Sequence, residues 1–237
     1  MKLFLIFLCV ASLPGWSQSP FEQARSAYDK GEFQEALRLY QGIEGFSPAL
    51  DYNTGNTLMR LDRGQEAIAY YRRALWQKNG DPDIRANLDR AVSQSQAIVP
   101  LLPLPLQLAG FLNAVQWQWI FIGCCWLFAG IGLLQRWIKP LHQIAAWTLP
   151  VAGLIALLSA GGIWATRPSQ WMEEAVVKGE EVTTRFEPLP DATEYFALPG
   201  GSVVHIENQS RNWLRISAAD KSGWVSAEQL ILLKDLP

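Results

Sequence analysis

The pattern of apolar and polar positions divides the chain into three regimes. Between Pro20 and about Ser95 the chain repeats itself: GEFQEALRLYQGI is echoed by GQEAIAYYRRAL, with Ala36 and Ala67, and Tyr40 and Tyr71, 31 residues apart. Such a period predicts stacked pairs of antiparallel helices. From Trp117 to Leu134 and from Ile144 to Ala165 apolar residues run on without one Asp, Glu, Lys, Arg or His. Each run is long enough to span a bilayer core of about 30 Å. After Arg167-Pro168 come VVKGEEVTTRFEPL, YFALPGGSVVHIENQ, NWLRISA and SGWVSAEQLILL, separated by Gly, Asn, Asp and Pro, which predict four or five short strands.

Within the helical region, small residues fall where paired helices come closest. Ala36 and Ala67 are expected at those contacts, with Tyr40, Tyr71 and Leu75 filling the next layer. The segment from Asp83 to Val92 begins a third unit but stops after one helix, so it is expected to cap the stack. Solenoids need about three repeats to stand alone, so this module is expected to depend on self-association or on a partner. The following segment, SQSQAIVPLLPLPLQ, has three prolines among apolar residues and is expected to be an extended, proline-rich linker over 97–116 that approaches the membrane.

At the start of the chain, Lys2 precedes the apolar run Leu3 to Leu13, Pro14 breaks it, and small residues follow at Gly15 and Ser17. That order predicts a signal peptide over 1–17, because the run is too short for the roughly 20 residues a span requires. Tryptophans 117, 119, 137, 147 and 164 cluster toward the ends of the long apolar runs, as an interfacial belt would. The loop over 135–143 carries Arg136, Lys139 and His142 and is expected in the cytoplasm, leaving both flanking modules outside. Two crossings place those modules in one compartment whichever way the hairpin lies.

Composition narrows the function. The formal net charge of -2 gives no basic field for nucleic-acid phosphates. The three cysteines, Cys9, Cys124 and Cys125, all lie in apolar runs, so the soluble parts have no thiol for a disulfide or zinc, and the latter two are expected to serve helix packing in the first span. His205 has no histidine or cysteine nearby, and no nucleophile motif or phosphate loop occurs. No cofactor, metal or catalytic constellation is therefore expected.

Two resemblances sharpen this picture. Gly31-x-Phe33-x-x-Ala36-Leu37-x-x-Tyr40, then Tyr52-Asn53-x-Gly55-Asn56 leading to Ala67-Ile68-x-x-Tyr71-x-x-Ala74-Leu75 and Pro82, resembles tetratricopeptide repeats over 20–96. The resemblance implies a partner-binding groove lined by Tyr52, Asn56, Arg60, Asn87 and Arg90. Asn56 and Asn87 match the asparagines of that family's carboxylate clamp, while Tyr52 and Asp83 stand where the clamp has lysines. Leu198-Pro-Gly-Gly-Ser-Val-Val-His-Ile, Trp213-Leu-Arg-Ile and Gly223-Trp224-Val225 resemble the bacterial SH3-like domain over 172–235. There Val204 and Ile206 are expected to point inward, Trp213 and Trp224 to fill the core, and Gly200-Gly201 to make a tight turn.

The order of these modules is similar to that of the BatE-type family of bacterial aerotolerance operons. The fold class expected is thus a multi-domain membrane protein, with an all-α tetratricopeptide repeat domain, a two-helix transmembrane hairpin over 117–134 and 144–165, and an all-β SH3-like barrel. The resemblance implies a non-enzymatic inner-membrane scaffold for an envelope complex with both soluble domains periplasmic. It implies as partners membrane proteins with von Willebrand factor A domains and a MoxR-type ATPase system. The alternative expectation is a cell-wall anchor or sensor whose SH3-like domain binds peptidoglycan peptides.

Overall fold

The computed structural model describes residues 19–102, 104–109, 112, 114–134, 137–138, 141–165, 172–218 and 220–237. The expected signal peptide lies outside the described residues, as do 135–136 and 139–140 of the basic loop. Five helices come first: α1 (Pro20–Asp29), α2 (Phe33–Gln41), α3 (Pro48–Arg60), α4 (Gly64–Gln77) and α5 (Pro82–Ser95). Three of them start alike, with an N-cap oxygen followed by proline. Ser19, Ser47 and Asp81 accept backbone N–H bonds at the starts of α1, α3 and α5, and Pro20, Pro48 and Pro82 follow where no intrahelical donor is lost. Ser19 and Glu22 close a capping box.

Ala36 and Ala67 are fully buried, and Tyr40, Tyr71 and Leu75 lie in the layers beside them. The central helix is α4, whose residues from Ala67 to Trp76 are buried without interruption. A helix enclosed on every side needs packing partners all round, and α3 and α5 cover only part of it. The remainder is covered by the proline-rich segment and by the sheet: Leu102, Leu106, Val176, Val203 and Leu233 join Ile68, Trp76, Leu88 and Ala91 in one core. The last of these five helices, α5, covers one flank of α4 through Ile84, Leu88 and Ala91 and leaves the other to these residues. The support that the short repeat array requires comes from elsewhere in the same chain.

The expected extended linker proves structural as well. Arg72 Nη1 donates to Pro100 O at 2.9 Å, the segment then turns into α6 (Leu104–Ala109), and Asn79 Nδ2 donates to Leu106 O at 2.7 Å. Pro105 stands in the first turn of α6, where its missing N–H costs no helical bond.

Next come α7 (Ala114–Leu134) and α8 (Leu141–Ala165), which pack against each other. Both are long and apolar enough to cross a membrane, and only 6% and 17% of their apolar windows are buried. A core helix of a soluble protein would be mostly covered, so the exposure separates these two from that class. Small residues let them approach: a Cβ on Gly162 would meet the Trp117 ring at 2.5 Å, and one on Gly153 would meet Phe128 at 3.3 Å. Of the cysteines expected to serve packing, Cys124 is buried and Cys125 is exposed.

The C-terminal unit is a seven-stranded antiparallel sheet of β1 (Glu174–Val177), β2 (Glu181–Arg185), β3 (Glu194–Pro199), β4 (Val203–Ser210), β5 (Trp213–Ala218), β6 (Lys221–Ser226) and β7 (Leu230–Leu232), in the order β3-β2-β6-β5-β4-β1-β7. Three predicted strands divide: Gly179 (φ +102) separates β1 from β2, Gly200 with Gly201 (φ +86) separates β3 from β4, and a 3-10 turn over Ala227–Gln229 separates β6 from β7. Val204 is buried in the sheet's own core and Ile206 packs against it. Trp213 and Trp224, however, are only half-buried and stand outside that core, which Leu214, Ile216 and Val225 fill instead. Each tryptophan is one residue out of phase with its inward neighbour, and in a strand one residue reverses the face.

The seam between helices and sheet rests on β1, which is buried on both faces. Ala175 and Val177 point into the sheet core, while Val176 joins the helical core. Beside it, Glu174 accepts from Arg72 Nε and Nη2, both at 2.7 Å, and from Trp76 Nε1 at 2.8 Å. Gln65 exchanges two hydrogen bonds with the backbone of Gly179, and Val203 N donates to Ile98 O at 2.9 Å. Arg73, the next residue on α4, donates to both oxygens of Asp51 and to the carbonyls of Leu236 and Pro237. The turn at Gly200-Gly201 touches this seam, since a Cβ on Gly201 would meet Ile68 Cδ1 at 2.9 Å and Ser95 Oγ at 3.0 Å. Its glycines serve close approach as much as the turn.

Removing one member of a buried pair strands the other charge, whereas replacing both by apolar residues does not. Arg72→Met is therefore expected to destabilise the full chain in detergent by about 3–5 kcal/mol. The double variant Arg72→Met/Glu174→Leu should recover most of that loss, as followed by chemical denaturation. Unfolding of helices and sheet should coincide in the unsubstituted protein.

Candidate functional site

The five residues expected to line a groove come from α3 and α5. Because α3 and α5 pack on the same side of α4, Tyr52 and Asn56 face Asn87 and Arg90 across a short gap. Asn87 Nδ2 donates to Asn56 Oδ1 at 2.8 Å and to Tyr52 OH at 3.1 Å, and Arg90 Nη1 donates to Asn87 Oδ1 at 3.2 Å. Tyr71 OH on α4 supplies a second donor to Asn56 Oδ1, at 2.8 Å. Burial pushes the Tyr71 phenol well above the ordinary tyrosine range, so it remains a donor at any physiological pH.

These bonds shape a cleft of about 470 Å³ lined by Tyr28, Asn56, Met59, Arg60, Tyr71, Asn87 and Arg90. Four of the five expected residues thus meet in one cleft, while Tyr52 borders the neighbouring cleft of about 440 Å³ with Arg25, Tyr28 and Asp83. The half-buried asparagines form the floor and the exposed arginines stand at the rim. Among the described residues no carboxylate pairs with Arg60 or Arg90, although Arg60 lies 5.4 Å from the centre of the Phe33 ring.

The Asn56–Asn87 bond consumes donor capacity that a two-asparagine clamp would turn toward a ligand. The cleft therefore differs from that clamp in more than its missing lysines. Its free capacity is mainly donor and cationic, which suits an acceptor-rich ligand such as an acidic peptide.

Tyr28, Met59 and Tyr71 also line the cleft but are not among the groove residues expected from the sequence, where Tyr71 reads as core. Its ring is indeed core, and only its hydroxyl reaches the cleft. Gly55 makes this possible, since a Cβ there would lie 2.6 Å from the ring of Tyr71. The sequence signal was Gly55 between Tyr52-Asn53 and Asn56: a helical glycine marks a close approach.

His205 forms an exposed pair with Glu173, Nε2 to Oε2 at 3.5 Å. Among the described residues no group of three or more His, Cys, Asp or Glu is placed to hold a metal ion.

Gly55→Ala is expected to force the Tyr71 ring off its seat and lower stability by about 1–3 kcal/mol. Gly64→Ala, whose added carbon would meet only Met59 Sδ at 4.0 Å, should be close to neutral in the same denaturation experiment.

Comparison of the chain with protein-family models, with curated proteins and with solved structures gives no match in any of the three.

Proposed function

We propose that this chain is a non-enzymatic scaffold of the bacterial inner membrane, which presents a tetratricopeptide-type groove and an SH3-like sheet unit to the periplasm for assembly of an envelope complex. The observation that carries the reading is the position of α7 and α8 in the chain. They lie between two units that share one core, yet their own apolar surfaces are exposed. If they cross the bilayer, the chain must leave and return on the same face, because Arg72 and Glu174 cannot pair across a membrane. The signal-peptide pattern and the basic loop then favour the outer face.

The cleft between α3 and α5 supplies the binding surface, with Arg60 and Arg90, which no carboxylate among the described residues pairs, as cations for an acidic segment of an envelope partner. By resemblance, membrane proteins with von Willebrand factor A domains and a MoxR-type ATPase system are the candidates, in an aerotolerance or stress role.

Two measurements test the proposal. Single cysteines replacing Gln34 in α2 and Gln209 in β4 are both expected to react with a membrane-impermeant maleimide added to spheroplasts. Labelling of only one, or of neither until the membrane is breached, contradicts the topology. In crosslinking from intact membranes, Arg60→Glu/Arg90→Glu is expected to lower recovery of the envelope partner by tenfold or more, given about 1.5–3 kcal/mol for each hydrogen bond to a charged group. Unchanged recovery, with wall peptides retained by the sheet, would favour the peptidoglycan-binding alternative.

A further inference from the structure

The proline-rich segment has two faces of unlike fate. Leu102, Leu106 and Ala109 are buried at 7%, 1% and 5% exposure, whereas Leu101, Leu104 and Leu108 are exposed at 87%, 65% and 65%. The buried face is fastened to the folded head: Leu102 and Leu106 belong to its core, and Arg72 and Asn79 hold the carbonyls of Pro100 and Leu106. The helix α6 also packs against α8, and Trp117 Nε1 at the start of α7 donates to Ala109 O at 3.0 Å. One short helix is thus clamped between the head and the root of the helical hairpin.

We propose that the exposed leucines of this segment are a lipid-contacting surface, which seats the folded head on the bilayer in one fixed orientation. The inference rests on the membrane reading of α7 and α8. Its occupant follows from continuity: α6 touches α8 and is tied to α7, so the medium that covers the hairpin's exposed apolar surface extends to the leucines beside it. No Asp, Glu, Lys or Arg occurs between Ser93 and Leu134, so nothing in this stretch opposes entry into the interface. Leucines left in water at such exposure would form an apolar patch with no cover. The segment acts as a bracket between head and hairpin, not as a flexible tether, and the Asn56–Arg90 cleft is carried at a set angle to the membrane.

The experiment uses the full chain reconstituted in phosphatidylcholine–phosphatidylglycerol vesicles, with Cys9, Cys124 and Cys125 replaced by alanine and a nitrobenzoxadiazole reporter on one introduced cysteine. Reporters at Leu101, Leu104 and Leu108 are expected to emit at shorter wavelength than those at Gln34 and Gln209, and to be quenched at least twofold more by lipids spin-labelled near the headgroup. A reporter at Leu154, an exposed position within α8, should be quenched best by lipids labelled deep in the chain. If Leu154 behaves so while the three leucine sites match Gln34 and Gln209, the seat is refuted and the membrane reading stands. If Leu154 also matches the aqueous sites, the membrane reading itself fails. Circular dichroism of each variant checks that the fold is retained.

Discussion

The bidentate pair between Arg72 and Glu174 is the contact on which the architecture turns. Its side chains are 3% and 8% exposed, and its partners lie 102 residues apart with both apolar helices between them. Ion pairs buried this deeply contribute little net stability, since desolvation offsets most of the attraction. Their geometric demand is severe, however, because a guanidinium fork satisfied by one carboxylate accepts few other arrangements. Arg73, one residue on and about 100° around the helix, makes the corresponding demand on Asp51 and on the backbone of Leu236 and Pro237. Burial pushes the Asp51 carboxyl above its usual range, and the bonds from Arg73 and Gln77 pull the other way. Two adjacent arginines thus hold α4 to α3, to the proline-rich segment, to β1 and to Leu236 and Pro237 beyond the last strand.

This arrangement accounts for a helical array too short to stand alone. In a longer solenoid the open side of α4 and α5 would be covered by the next helical pair. Here Leu102, Leu106, Val176, Val203 and Leu233 take that place. The sheet gains as well: β1 is an inner strand, paired with β4 and β7, and its outward residues would meet water without α4 behind them. Each unit buries what the other leaves open, so two small modules of marginal size behave as one larger domain.

How far the sequence reveals this depends on the range of the interaction. The paired helices were legible because Ala36, Ala67, Tyr40 and Tyr71 repeat locally, and the apolar hairpin because composition alone marks it. Strands were legible where alternation held, as at Val204 and Ile206, and miscounted where Gly179 and Gly200-Gly201 divide an apolar run. Trp213 and Trp224 misled because size suggests the core while phase decides the face. In the candidate site, it was the resemblance to tetratricopeptide repeats that implied one groove for the asparagine–arginine set, and the bonds among Asn56, Asn87 and Tyr71 depend on side-chain geometry that a resemblance leaves open. The seam was not legible as a contact, although one clue existed: from Ala67 to Trp76 every residue except Arg72 and Arg73 is Ala, Ile, Tyr, Leu or Trp, with no polar face of its own.

The seam also constrains what can be inserted into the chain between α5 and β1. The path leaves the head where Asn79 holds Leu106 and returns where Trp76 holds Glu174, and those two anchors are three residues apart at the end of α4. Whatever lies between must therefore begin and end at nearly the same place. A single crossing cannot do so, because it would deliver β1 to the far side of a bilayer, away from Arg72. Two antiparallel helices of similar length can, and α7 and α8 are such a pair, packed through Gly153 and Gly162. For a chain that crosses a bilayer between Arg72 and Glu174, the pairing of those two residues thus calls for an even number of crossings between them.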